Sequence, residues 1–121
     1  QFQQRNSKWI VLIDDEYSIR QAVGDFLYDS GYQVTACSDR DALWEVILDR
    51  DALLVPDLIV SDIRMSNNPN DGLELVQQMR DPNAVTATVP IILLTAKGMT
   101  RDRIRGYQAG ADYYITKPFV P

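Results

Sequence analysis

Hydrophobic positions along the chain fall into two alternating kinds of segment. KWIVLID (8–14), YQVTA (32–36), PDLIVSD (56–62), VPIILLT (89–95) and DYYIT (112–116) are short and rich in β-branched or aromatic residues. Three of them are nearly continuous apolar runs without in/out alternation, the pattern of parallel strands covered on both faces. Between them the apolar residues recur with helical spacing. Over 18–30, Ile19, Ala22, Val23, Phe26 and Leu27 share one face, and Gly31 supplies a stop. Over 39–50, Leu43, Val46 and Ile47 do the same behind the cap-type start SDRD. Over 72–80, Leu73, Val76 and Met79 follow Asp71; over 100–109, Ile104 and Tyr107 line up before Gly110. Each stripe reads first as a core-facing surface. DPNAVTAT (81–88) reads as a polar surface loop.

The predicted order is β-α-β-α-β-α-β-α-β. Strands alternating with helices imply right-handed crossovers and a parallel α/β sheet. With 121 residues and 45% apolar content, the chain suits one packed domain. That domain covers 8–121, and 1–7 reads as a disordered or tag-like N-terminal segment. The net charge of −5 argues against nonspecific nucleic-acid binding by this segment. The runs WIVLI and IILL are too short to span a bilayer, and QFQQRNSK lacks the apolar segment of a signal peptide. A lone cysteine, Cys37, permits no internal disulfide and fits a reducing compartment. The chain contains no histidine. That excludes Ser-His-Asp and Cys-His catalysis, histidine metal ligands and a phosphohistidine within it.

In an open parallel sheet, ligands bind beyond the carboxyl ends of the strands. Strand 1 ends in Asp14 and Asp15 with Glu16 next, strand 3 in Asp62, strand 4 in Thr95 followed by small Ala96, and strand 5 in Lys117. Strand 2 ends in Cys37-Ser38, which suggests no chemistry. Any single acid here could be only a helix cap. Together they have one economical explanation. Three carboxylates at one edge repel, and some would take up a proton unless a divalent cation compensated them. An oxygen-only donor set favours Mg²⁺ over zinc. A carboxylate beside Mg²⁺ can act as a nucleophile towards phosphorus, giving an aspartyl phosphate. The transferred group then needs cations and donors around its oxygens, and Mg²⁺, Lys117, the Thr95 hydroxyl and backbone N–H groups would supply them. A side chain larger than Ala96 would crowd the approach.

VLIDDE, PDLIVSDIRM, PIILLTAKG and GADYYITKPF resemble the motifs of the receiver domain of two-component response regulators, from about residue 8 onward. The resemblance implies a flavodoxin-like doubly wound five-stranded sheet of order 2-1-3-4-5. It implies Asp62 as phosphoacceptor, with Mg²⁺ (Mn²⁺ as substitute) on Asp14, Asp15, Asp62 and the Arg64 backbone carbonyl. Lys117 would contact the phosphoryl group, Thr95 would be the switch hydroxyl and Tyr114 the switch aromatic. Strand parity separates Tyr114 from Tyr113, because alternate residues face opposite sides. The resemblance also implies a cis Lys117–Pro118 peptide. A histidine kinase or phosphotransfer protein would be the donor. A separate output domain would act in transcription, in the cytoplasm or, for a plastid-encoded chain, the stroma. AKGMTRDRIRGYQAGADYYITKPF further resembles cyanobacterial and plastid regulators with a C-terminal helix-turn-helix.

Three departures from the family pattern stand out. Gly72 falls ten residues after Asp62, about two further than the pattern, with Ser66 at the usual proline position and Pro69 displaced. Arg64 and Lys97, two past Asp62 and two past Thr95, flank the path of the hydrolytic water. They either shield the phosphate and slow self-dephosphorylation, because cations cannot act as general bases, or are solvated surface charges. The family's fifth helix is missing after KPF. The chain reads as a piece trimmed from a longer regulator; standing alone, its bare strand 4/5 face would pair with a second copy, or the copies would exchange a strand or helix. A pseudo-receiver without phosphoryl chemistry is the alternative binding-module reading, but such modules typically lose one of the acids or the lysine kept here. A Mg²⁺-dependent phosphohydrolase would carry a second aspartate where Arg64 stands, and a P-loop is absent.

Overall fold

The computed structural model describes residues 8–48, 55–65, 68–96 and 100–117, and for Leu48, Ala96 and Lys117 the backbone alone. Its elements are β1 (Trp9–Ile13), α1 (Tyr17–Asp29), β2 (Gln33–Cys37), α2 (Arg40–Leu48), β3 (Leu58–Asp62), α3 (Asp71–Met79), β4 (Ile91–Ala96), α4 (Thr100–Ala109) and β5 (Tyr113–Lys117). The strands form one parallel sheet in the order β2-β1-β3-β4-β5. The predicted order is therefore observed, and element ends move by one or two residues. The segment 1–7, the end of the helix predicted over 39–50 and the Lys117–Pro118 peptide lie outside the described residues.

The period-2 geometry of the strands splits the apolar residues between two layers. Trp9, Val11, Ile13, Ile59, Ile91 and Leu93 face α2 and α3, where Leu43, Ile47, Leu73, Leu75, Val76 and Met79 complete the larger core. Ile10, Leu12, Val60 and Leu94 face the other way and meet Val23, Ile19 and Leu27 of α1. This double coverage is why β1 reads as an unbroken apolar run: all five of its residues are buried. Edge strand β2 is far more exposed.

Local chemistry sets the helix ends. Asp39 accepts the Ala42 N–H at 2.8 Å, capping α2 as SDRD predicts. Gly31 (φ 99°) and Gly110 (φ 116°) take the left-handed conformation after α1 and α4.

The helix faces depart from the sequence pattern in two places. On α1, Ala22 and Phe26 are exposed; only Val23 is fully buried, with Ile19 and Leu27 partly so. The contact with β1 and β2 runs along the i, i+4, i+8 line, and Ala22 and Phe26 fall to its side. On α4, Ile104 and Tyr107 are exposed, whereas Asp102 and Gly106 are buried. A Cβ on Gly106 would lie 2.8 Å from Leu93 Cδ1, so the helix seats its glycine against β4 and turns its apolar residues outward.

The 81–88 loop is a surface loop with one exception. Thr86 is buried and its hydroxyl donates to the Met79 carbonyl at 3.2 Å. Arg80 organises this end of the molecule. Its guanidinium donates to the carbonyls of Thr86, Ala87, Val89 and Gly110 and pairs with Asp112 at 2.7 Å. Asp112 also accepts the Ile91 N–H, so one arginine ties the starts of β4 and β5 together.

Candidate functional site

β1 and β3 lie in register at Ile13↔Ser61, so Asp14 and Asp62 come next along neighbouring strands. Asp14 is fully buried. Its N–H donates to the Cys37 carbonyl at 3.1 Å, its Oδ1 accepts the Glu16 N–H at 2.9 Å, and its carbonyl accepts from Arg20 at 2.7 Å. These bonds fix the turn after β1 and hold Asp15 and Glu16 exposed beside it. Carboxylate oxygens of Asp14, Asp15 and Glu16 all lie within 4.8 Å of one another. Sequence reasoning noted Glu16 but gave it no role. Such an all-carboxylate, partly exposed donor set fits a hard divalent cation that keeps several waters.

Asp62 is the last residue of β3, 6% exposed, and its Oδ1 accepts the Arg64 N–H at 3.4 Å. Thr95 follows the Asp62↔Leu94 pair on β4 and is buried, and its hydroxyl has no hydrogen-bond partner among the described residues. β5 pairs with β4 through Thr95↔Thr116 and Ala96↔Lys117, which carries the Lys117 backbone to the same edge. The side chains of Lys117 and Ala96, and all of Lys97, lie outside the described residues.

The lengthened loop after Asp62 returns to its origin. Met65 and Asn68 form an antiparallel bridge, with N–H···O distances of 3.3 and 3.0 Å, and Met65 is anchored in the core. Gly72 then passes directly over the phosphoacceptor candidate: its N–H donates to the Ile63 carbonyl at 2.8 Å, and a Cβ there would lie 2.3 Å from the Asp62 carbonyl oxygen. Ten residues after Asp62, glycine is required by this approach.

Arg64 is not merely solvated. Its Nε lies 3.1 Å from Oδ2 of Asp102 on α4. Sequence reasoning missed Asp102. The available signal was its i, i+3 spacing to Arg105, which stands 3.7 Å from Asp102 Oδ1. Arg105 also donates to Asn70 Oδ1 in the loop. Arg40 bridges α2 to Asp71 (3.1 Å) and Glu74 (3.0 Å) at the start of α3. Burial nevertheless pushes the Asp71 carboxyl above its usual range, against the opposing pull of Arg40.

The two tyrosines of β5 diverge as parity requires. Tyr113 is exposed. Tyr114 is half-buried, its ring 6.5 Å from that of Tyr107 and beneath the Arg103 guanidinium at 5.3 Å. Cys37 is buried and its thiol is pushed up to about 11 by burial and by Asp39, so it has no nucleophilic character at neutral pH.

A family profile described as "Response regulator receiver domain" matches residues 10–121. The chain belongs to this family. Among curated relatives, the receiver domain is 38% identical over 113 residues to the response regulator Rre1 of Synechocystis sp., covering 93% of this chain and 46% of that protein. It is 38% identical over 114 residues to the phosphate regulon transcriptional regulatory protein PhoB of Pseudomonas aeruginosa (94% and 47% covered). It is 39% identical over 116 residues to the probable transcriptional regulator ycf27 of Cyanophora paradoxa (96% and 44% covered). The chain thus spans about half the length of these relatives. Among solved structures, the chemotaxis response regulator CheY4 of Vibrio cholerae superposes with a TM-score of 0.79 at 31% identity, covering 96% of this chain and 91% of that one. A response regulator from Chloroflexus aurantiacus gives 0.82 at 27% identity (94% and 88% covered). The receiver domain has the flavodoxin-like fold with the strand order its motifs imply.

Proposed function

We propose that this receiver domain accepts a phosphoryl group on Asp62 from the phosphohistidine of a histidine kinase or phosphotransfer protein. The observation that carries the reading is the placement of buried Asp62 at the strand end beside the Asp14–Asp15–Glu16 carboxylates. An Asp62 carboxylate oxygen attacks phosphorus; the new O–P bond forms as the N–P bond breaks, and the donor imidazole leaves. Asp14, Asp15, Asp62 and the Arg64 carbonyl would hold Mg²⁺ or Mn²⁺, with Glu16 beside them. That ion supplies positive charge to the carboxylates and to one phosphoryl oxygen. Lys117 pairs with a second oxygen. Thr95, whose hydroxyl is buried without a partner among the described residues, donates to a third. Small Ala96 leaves the approach open. Tyr114, lodged against α4, follows Thr95 and reports the change at the α4–β5 surface.

The domain is a signalling switch whose chemistry is confined to its own phosphorylation and dephosphorylation. Neither Arg64 nor Lys97 can act as a base towards water, so the aspartyl phosphate is long-lived. The output is transcriptional, which the similarity to the transcriptional regulators PhoB and ycf27 supports. Action in the cytoplasm or plastid stroma belongs to the same reading. No helix among the described residues is long and apolar enough to cross a membrane. A second copy docking on the β4/β5 face is supported by exposed Tyr113 and half-buried Ile92 and Ile115.

Treatment with acetyl phosphate and Mg²⁺, followed by intact mass measurement, tests the assignment. We expect the mass of one phosphoryl group on the wild-type domain and none on Asp62→Asn. Undiminished labelling of that variant excludes Asp62 as the acceptor.

A further inference from the structure

Apart from Asp14 and Asp62, one carboxylate is buried among the described residues: Asp102, on the first turn of α4. A buried acid needs a cation, and this one draws on two. Arg64 contacts Oδ2 at 3.1 Å, and Arg105 stands 3.7 Å from Oδ1. Arg64 belongs to the loop that leaves the phosphoacceptor, and its own N–H points at Asp62 Oδ1. Its side chain is nearly half exposed, so it has room to turn. Arg105 is additionally held by Asn70, further along the same loop. Helix α4 is therefore tied to the β3–α3 loop at two points, and one of them starts two residues from Asp62.

We propose that Arg64 is an exchangeable tie: it holds Asp102, and through it α4, in the unphosphorylated domain, and passes to the phosphoryl oxygens once Asp62 is modified. This deepens the function proposed above and rests on Asp62 being the acceptor. The driving force is a difference in partners. A guanidinium pairs bidentately with carboxylate and phosphoryl groups alike, but a phosphoryl group offers it three oxygens and a charge of about −1.5 to −2, where Asp102 offers a single negative charge. A phosphoryl group on Asp62 appears next to the Arg64 backbone. When Arg64 transfers, Asp102 keeps only the longer contact with Arg105, which Asn70 also engages. A buried carboxylate short of a cation is unfavourable, so α4 relaxes outward until water reaches Asp102. The exposed Ile104 and Tyr107 and the Tyr114 packing move with it. Arg64 acts here as a positioning residue, coupling the modified atom to the signalling helix.

Amide hydrogen exchange over residues 100–109 reads the tie directly. Wild type, Arg64→Met, Arg64→Lys and Asp102→Asn are compared with and without acetyl phosphate and Mg²⁺, with phosphoryl stoichiometry measured by intact mass in each sample. Phosphorylation is expected to speed α4 exchange in the wild type by about tenfold, the usual size of such couplings. Unphosphorylated Arg64→Met should already exchange at that faster rate and gain little on phosphorylation. Arg64→Lys should retain part of the protection. Asp102→Asn, which keeps the side-chain shape, should match Arg64→Met. The tie is overturned if unphosphorylated Arg64→Met and Asp102→Asn protect α4 as well as wild type does, or if phosphorylated Arg64→Met gains the full wild-type increase. A wild-type sample that takes no phosphoryl mass refutes the acceptor reading instead, while the unphosphorylated comparison still decides the tie.

Discussion

Replacing Gly72 by alanine tests how the site is held together. The added Cβ would lie 2.3 Å from the Asp62 carbonyl oxygen and 2.7 Å from Ile63 Cα, about an ångström inside ordinary contact. Both obstacles are backbone, so no side chain can swing aside. The start of α3 and the end of β3 must separate, which also lengthens the 2.8 Å bond from the Gly72 N–H to the Ile63 carbonyl. Overpacking of this kind costs about 1–3 kcal/mol, and a weakened buried hydrogen bond adds about 1 kcal/mol. We expect a loss of about 3 kcal/mol, or roughly 10 °C in Tm for a domain of this size. Urea denaturation followed by circular dichroism measures it. Gly24 is the internal control: it sits inside α1 with nothing within 4 Å of an added Cβ. Gly24→Ala should gain about 0.5–1 kcal/mol from helix propensity. A second readout is the rate of Asp62 labelling by acetyl phosphate, which should fall in Gly72→Ala because the displaced backbone carries the proposed acceptor. A Gly72→Ala midpoint equal to wild type, or a Gly24→Ala variant that loses as much stability, would refute the close-approach argument.

Thr95→Val removes a buried hydroxyl that has no partner among the described residues, so it should leave stability unchanged or raise it by about 1 kcal/mol. A loss of that size in the same denaturation assay would show that the hydroxyl is satisfied in the resting state. The Cys37 thiol, raised to about 11 mainly by burial, is protonated in the fold throughout the neutral range. A folded pKa above the ordinary thiol value of 9.0 contributes stability below pH 9, lost as pH rises through 11. Native protein at pH 8 should therefore react with a disulfide reagent at least tenfold more slowly than urea-unfolded protein; equal rates would contradict the burial.

Much of this was legible because parallel α/β sheets write their layers into the chain. Buried strands appear as unbroken apolar runs, as in β1, and helices as 3.6-periodic stripes, as in α3, where Leu73, Val76 and Met79 all reach the core. Strand ends can be read for chemistry because right-handed crossovers bring them to one edge, and the strand register carries Asp14, Asp62 and Thr95 there. The α4 stripe failed for a physical reason. Its apolar residues, Ile104 and Tyr107, face outward, and its packing surface is a glycine and a paired acid. Periodicity weighs side-chain hydrophobicity; it does not register a glycine that lets two backbones approach, or a carboxylate neutralised from elsewhere.

The sequence by itself determined the order of elements, the split of apolar residues between two layers and the identity of the acids at the strand ends, because each follows from local periodicity and topology. Only the tertiary structure decided which charges meet. The pairing of Arg64 with Asp102 spans 38 residues, and the gathering of the Thr86, Ala87, Val89 and Gly110 carbonyls and Asp112 around Arg80 joins segments up to 32 apart. No local pattern encodes such partners. They arise when the sheet closes and burial makes each charge seek whatever opposite group, or backbone carbonyl, the fold has carried within reach.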